Sequence, residues 1–298
     1  MASRNNPPTH GNYHGYYNKR PSTSDQRLAL VPRGLFEGKR VLDVGCNEGI
    51  VTCEIAQTLG AIRVIGVDID DTLVRAAWKH RRSVWTQQGP PPPISSVHST
   101  IETNGTGSSP SDRRKRRRIS QSEPDVGDEG AAPDMSAGPA DYFPASFEHM
   151  FGPLPIPDVA SHGNAADSFP HNVSFRTADW VNNEIPEDDE GYDVVVAFSI
   201  SKWIHLNGGD EGLLVFFRRV HDVLRPGGTF ILEPQEWETY GKAKRMDPRL
   251  KANAKTLKLR PDQFETELRK LGFGQGQHLG TAGEGGESYN QSMVINSL

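Results

Sequence analysis

The chain has 298 residues, 33 Lys and Arg against 38 Asp and Glu, and 35% hydrophobic residues, which bounds it to one large or two small globular domains. No run of about 18 apolar residues occurs, so no transmembrane helix is expected, and the N-terminal stretch lacks the apolar core of a signal peptide, so secretion is not expected either. The net charge of −5 is local: residues 86–170 hold 6 of the 33 basic and 11 of the 38 acidic residues, leaving 27 of each sign elsewhere. A neutral body still binds nucleic acid through a local basic patch, so charge excludes no partner. Cys46 and Cys53 are seven apart, which is not a zinc spacing. They read as reduced packing thiols, and no metal site is expected.

In chain order, Arg40-Val41-Leu42-Asp43-Val44 is a short apolar run ending at glycine, a buried strand. Val51, Ile55, Ala56 and Leu59 share one face of a helix over 50–59. Arg63 to Asp68 is a second strand, and Asp71 to Arg82 a helix with Asp70 or Asp71 as its N-cap. Residues 86–170 then hold 13 of the 22 prolines and few aliphatic runs. Such a segment buries too little apolar surface to offset its ordering entropy, so a disordered insertion is expected, with a sticky patch at Tyr142–Phe151. It splits one domain into an N-terminal half, 1–85, and a C-terminal half, 171–298. Val173 to Arg176 is the third strand. Tyr192 to Phe198, β-branched and apolar throughout, is a strand buried on both faces. Glu211 to Leu224 is a helix stopped by Arg225-Pro226-Gly227-Gly228, and Thr229 to Glu233 a strand. Arg260 opens a helix running to Leu271, and Ser292 to Ile295 makes a last strand. Strands and helices alternating at these lengths predict an α/β fold: a Rossmann-like open sheet, mostly parallel, with helices on both faces.

Ligands bind such sheets at the carboxyl ends of the strands. After the first strand comes Asp43-Val44-Gly45-Cys46-Asn47-Glu48-Gly49. Gly45 permits a sharp turn, and the next helix offers N-terminal N–H groups suited to a carboxylate. Asp68 ends the second strand, 25 residues after Asp43, where an acid accepts both hydroxyls of a ribose. The glycine spacing is G-x-x-x-G rather than G-x-G-x-x-G, which disfavours a dinucleotide. D-x-G-x-x-x-G, the strand-end acid and L-R-P-G-G together resemble the class I S-adenosylmethionine-dependent methyltransferases. In that class Asp179 and Trp180, after the third strand, would meet the adenine, although a surface Asp beside a core Trp is the competing reading. Phe198-Ser199 would lie beside the sulfonium.

More specific segments carry a closer likeness. Asn12-Tyr13-His14-Gly15-Tyr16-Tyr17 precedes Asp25-Gln26-Arg27-Leu28; Ser201-Lys202-Trp203-Ile204-His205-Leu206-Asn207 leads into Gly209-Asp210-Glu211-Gly212-Leu213; Leu232-Glu233-Pro234-Gln235 runs on to Trp237 and Tyr240-Gly241-Lys242. Over residues 11–85 and 170–273 the chain resembles the Bicoid-interacting family of RNA methyltransferases, which includes methylphosphate capping enzymes. The resemblance implies transfer of a methyl group from S-adenosylmethionine to the 5′-terminal phosphate of a small non-coding RNA. It implies that Tyr17 and Arg27 close over the cofactor, and that Asp43, Gly45, Asn47, Asp68, Ile69, Asp179, Trp180 and Phe198 line its bed. Tyr16, Lys202 and Lys242 would hold the phosphate. Glu48 and Gly208 depart from the pattern, the first at a commonly apolar position and the second where an aromatic can follow the asparagine.

The chemistry fits this residue set. A terminal phosphate has a second pKa near about 6, so an anionic oxygen is available without a general base. The site must align that oxygen about 3–3.5 Å from the methyl carbon and neutralise its charge. Lys202 suits this task, or is a solvated surface lysine. His205 reads as a satisfied structural histidine or as a proton carrier. Lys242, Lys244, Arg245, Arg249, Lys251, Lys255 and Lys258, with Trp237 and Tyr240 as stacking faces, form a candidate RNA surface, or simply a solvated helix. The run Arg113–Arg118 reads as a nuclear localisation signal, placing the protein in the nucleus with some in the cytoplasm, or as an RNA tether. Ribonucleoprotein subunits are possible partners, and no membrane is expected. Two alternatives stay open: an RNA-binding scaffold that needs no turnover, and a methyltransferase for a non-RNA acceptor.

Overall fold

The computed structural model describes residues 8–13, 16, 24–88, 145–158, 165–281 and 292–298. Its centre is a seven-stranded sheet in the order β3-β2-β1-β4-β5-β7-β6. The strands are β1 (Arg40–Val44), β2 (Arg63–Asp68), β3 (Val173–Thr177), β4 (Tyr192–Phe198), β5 (Leu224–Glu233), β6 (Gln277–Thr281) and β7 (Ser292–Ser297). The first five run parallel; β7 is antiparallel to both β5 and β6. This is the class I methyltransferase fold, and strand order reverses at β1, between β2 and β4, which opens a crevice at the carboxyl ends of β1 and β4.

The central strands are apolar at nearly every position because helices cover both faces. Val41, Val194 and Val196 point to one side, against Ile55 and Val51 of α1 (Ile50–Thr58) and Val74 of α2 (Asp71–Thr86). Leu42, Val195 and Ala197 point to the other, against Phe216, Phe217 and Val220 of α4 (Ser201–Val223) and Leu268 of α7 (Phe264–Lys270). Val194, Val195 and Val196 are at most 1% exposed, and burying each stabilises the fold by roughly 1.5–3 kcal/mol. Asp70 caps α2 as expected, its carboxylate accepting from the Thr72 N–H at 2.8 Å.

Two expectations need correction. Helix α4 begins at Ser201 rather than Glu211, because Lys202–Asn207 is itself helical and the helix continues across a kink at Gly209, whose φ of 70° only glycine adopts readily. The Arg225–Gly228 turn lies inside β5, where pairing jumps from Tyr192–Leu224 to Val194–Thr229 and leaves the turn residues out of the ladder. Of the 86–170 insertion, residues 86–88, 145–158 and 165–170 are described. Within it, α3 (Ala145–Phe151) docks on α2: Arg82 Nε donates to the Leu154 carbonyl at 2.8 Å, and Glu148 accepts from Ser83 and Gln87. Residues 89–144 and 159–164 lie outside the described residues, as does most of the disorder expectation. Finally, α5 (Trp237–Ala243), α6 (Pro248–Asn253) and β6 carry no clear periodic signal, each being at most seven residues long. Helices α5 and α6 pack on the first half of α4 through Trp203, Leu206, Tyr240, Ala243 and Leu250, forming a wall beside the crevice.

Candidate active site

A cleft of about 760 Å³ occupies the crevice, within the range of about 300–1,000 Å³ usual for small-molecule sites. Its floor is the turn after β1. Gly45 holds φ at 79°, and a Cβ there would collide with Ile200, so the turn requires glycine on two grounds. Asp43, 3% exposed, accepts from the Thr52 hydroxyl at 2.6 Å; burial, opposed by that bond, raises its pKa to about 6. Asp68 accepts one backbone N–H on each oxygen, from Asn47 and from Asp70, both at 2.9 Å. The carboxylate, with about four acceptor sites, keeps capacity for a ligand. Burial pushes the Asp68 carboxyl up, against the pull of the Asp70, Asn47 and Ile69 N–H groups.

Around this floor the cleft gathers most of the residues singled out in the sequence. Tyr16, Arg27, Asp43, Gly45, Asn47 and Asp68 line it, as do Ile69, Asp179, Trp180, Phe198 and Lys202. Ile69 is 40% exposed and offers an apolar ledge. Trp180 is a core residue as well as a wall: its indole N–H reaches the Asp188 carboxylate at 3.1 Å and its ring packs against Phe216. Arg27 is buried under the cleft rather than swung over it. It bonds Asp25 at 2.6 Å and Glu233 at 2.9 Å, with its guanidinium over the Phe198 ring at 4.6 Å. Tyr17 lies outside the described residues.

Lys202 stands in the first turn of α4, its ammonium 3.2 Å from the Thr239 hydroxyl and 5.2 Å from the Trp203 ring centre. Burial lowers its pKa to about 8, which leaves it mostly protonated at neutral pH. Tyr16 reaches Ser199 Oγ at 3.5 Å, and Ser199 donates to Glu233 at 2.7 Å. Lys242 is not part of this assembly. It sits on α5 and does not line the cleft, because Tyr240 and Ala243 take the inward face of that short helix. The two aromatic stacking faces are occupied as well. Trp237 meets Arg260 at 3.6 Å and Tyr240, whose ring centre is 4.6 Å away, and Tyr240 is buried. His205 is fully buried with both ring nitrogens partnered, by Tyr240 at 3.2 Å and Asp210 at 2.8 Å. Asp210 also accepts the Lys258 N–H, so His205 ties α4 across its kink and does not face the cleft.

Sequence reasoning misses how several wall residues come together. Residues 8–13 cross the cleft as a strap: Asn12 donates to Asp70 at 2.7 Å, Asn207 donates to the Thr9 carbonyl at 2.8 Å, and the Tyr13 ring meets Trp203 edge-on. The Asn12-Tyr13 and Trp203…Asn207 segments are visible as motifs, but their mutual contact is not. Gly208 lines the cleft with open space where a Cβ would stand, and Arg249 is the one member of the 242–258 basic run that reaches it among the described residues.

The fold and this cleft define a class I methyltransferase domain. The profile of the Bicoid-interacting protein 3 family matches residues 192–296, and that of ribosomal protein L11 methyltransferase matches residues 22–84. A probable RNA methyltransferase of Arabidopsis thaliana is 33% identical over 267 residues, 88% of this chain and 72% of that protein. The chain belongs to the Bicoid-interacting family of RNA methyltransferases. The 7SK snRNA methylphosphate capping enzyme of Mus musculus is likewise 33% identical, over 96% of this chain, and the chain spans 40% of that relative's length. A mouse RNA 5′-monophosphate methyltransferase is 28% identical over 43% of this chain and 48% of its own.

Proposed function

We propose that the chain methylates the 5′-terminal phosphate of a small RNA, with S-adenosylmethionine as the donor. The observation that carries the proposal is the pairing, in one cleft, of a buried strand-end carboxylate with a desolvated lysine. S-adenosylmethionine supplies an activated methyl group. The residues present fit it: Asp68 retains acceptor capacity for a ribose diol, Ile69 offers an apolar ledge for a base, and Asp43 places negative charge at the floor. Tyr16 and Ser199, at the end of β4, border the remaining space beside Lys202.

Lys202 would hold the incoming phosphate oxyanion. In a partly dry cleft an ammonium–phosphate contact is stronger than in water, and the anion in turn raises the lysine pKa and keeps it charged. No group is needed to remove a proton from the acceptor, because a terminal phosphate already carries an anionic oxygen at neutral pH. The names of the mouse relatives support an RNA 5′ phosphate as acceptor. The Arg113–Arg118 run supports nuclear import, to be tested by whether its neutralisation moves a tagged chain to the cytoplasm.

Two variants test the proposal. Asp68→Ala is expected to abolish S-adenosylmethionine binding in calorimetry. Lys202→Ala is expected to keep that binding and to lower kcat/KM for 5′-phosphorylated RNA about 100-fold, the loss of one charge-assisted contact. Full activity in Lys202→Ala would remove the basis of the proposal.

A further inference from the structure

Helix α4 starts with no side-chain cap of its own: Ile200 stands at the N-cap position, and Ser199 before it holds φ at 58°, unusual for a residue other than glycine. The first N–H groups of any helix lack intrahelical partners and need an acceptor. Here that acceptor comes from the segment that follows β5. Gln235, two residues past β5 and 3% exposed, turns its Oε1 toward the start of α4, where it accepts from the Lys202 backbone N–H and from Ser201 Oγ, each at 2.9 Å. Its Nε2 donates back to the Ser199 carbonyl. One amide thus holds both sides of the tight turn from which Lys202 projects.

We infer that Gln235 is a positioning residue: it caps α4 from across the β4–β5 seam and thereby fixes the Lys202 ammonium in the cleft. The function of that placement rests on the reading of Lys202 as the phosphate ligand; the placement itself does not. The geometry explains why a glutamine is suited. The site needs one acceptor facing two donors and one donor facing a carbonyl, separated by the width of a carboxamide. A glutamate keeps the acceptor but sets a second carboxylate against the Ser199 carbonyl, close to Glu233, which already accepts from Ser199 Oγ. A methionine keeps the shape and removes all three bonds, taking the Gln235 partner from the Lys202 N–H, the Ser201 hydroxyl and the Ser199 carbonyl.

The test reads Lys202 directly in the ligand-free full chain. The rate of Lys202 acetylation by acetic anhydride is followed against pH by peptide mass spectrometry in wild type, Gln235→Met and Gln235→Glu. Gln235→Met is expected to acetylate Lys202 at least threefold faster at high pH, as the first turn of α4 loosens, and to move its titration toward an ordinary lysine. Gln235→Glu, which retains the cap, is expected to stay within twofold of the wild-type rate for the deprotonated amine while its titration moves up. On 5′-phosphorylated RNA, Gln235→Met is expected to lose at least tenfold in kcat with S-adenosylmethionine affinity kept within threefold. Wild-type labelling and titration of Lys202 in both variants would overturn the inference. Altered labelling in a protein that never methylates RNA would uphold Gln235 as the positioning residue and refute the proposed function instead. Should Gln235→Met fail to fold, the upward titration shift in Gln235→Glu decides the matter alone, and its absence overturns the inference.

Discussion

Replacing Asp43 with asparagine should make the protein more stable and a poorer binder of its cofactor. Asp43 is buried at the cleft floor, and its pKa of about 6 lies above the ordinary 3.8. Between those values the folded protein holds a proton that the unfolded chain has released. Stability therefore falls as pH rises through the window, and the cost of the buried anion is fully present above it. A shift of about two units at about 1.4 kcal/mol each makes that cost about 3 kcal/mol. The Asp43→Asn substitution removes the charge, and the carboxamide oxygen can still accept from Thr52. Urea denaturation at a series of pH values should show the variant about 3 kcal/mol more stable than wild type near pH 7.5, converging with it near pH 4, at constant m. Calorimetry with S-adenosylmethionine should show about tenfold or greater loss of affinity, the scale of a charge-assisted contact. Equal stability at pH 7.5, or an unchanged pH slope, would refute the assignment of a strained anion at this position.

Lys202 has its pKa lowered to about 8 by burial, so KM for 5′-phosphorylated RNA should rise above that pH; Lys202→Arg should push that alkaline limb up, and an unchanged limb would exclude Lys202 as its source. Lys242→Ala should leave kcat unchanged, because the side chain lies outside the cleft, while RNA affinity measured against salt would lose about one phosphate contact if α5 touches the backbone. Glu233→Ala should cost about 3 kcal/mol in chemical denaturation, since it takes a buried carboxylate partner from the buried Arg27. Gly45→Ala should destabilise by at least about 1–3 kcal/mol, read in the same way, because its φ is positive and Ile200 fills the space for a Cβ.

The strands from Arg40 to Phe198 are legible because each carries its burial in its composition: β1 and β4 are apolar at nearly every position, as strands covered on both faces must be. The cofactor floor is equally legible, since Gly45 and Asp68 owe their roles to strand ends. What the sequence hides is set by distant contacts. The first half of α4 looks irregular because Gly208-Gly209 interrupts it, although His205 and Asp210 bridge the break. Lys242 looks like a phosphate ligand by motif alone, but the inward face of α5 belongs to Tyr240 and Ala243. Gln235 can be seen only as part of a motif; its bonds to Ser199, Ser201 and Lys202 join segments more than thirty residues apart.

The central claim, methyl transfer to a phosphate oxygen, is most directly tested on the product. The full chain is incubated with isotopically labelled S-adenosylmethionine and a small RNA bearing a 5′-phosphate, and the digested RNA is analysed by mass spectrometry. The proposed function predicts one added methyl group on the terminal phosphate. Label on a base or on a ribose hydroxyl, or an unmodified 5′ end after full incubation, would contradict it.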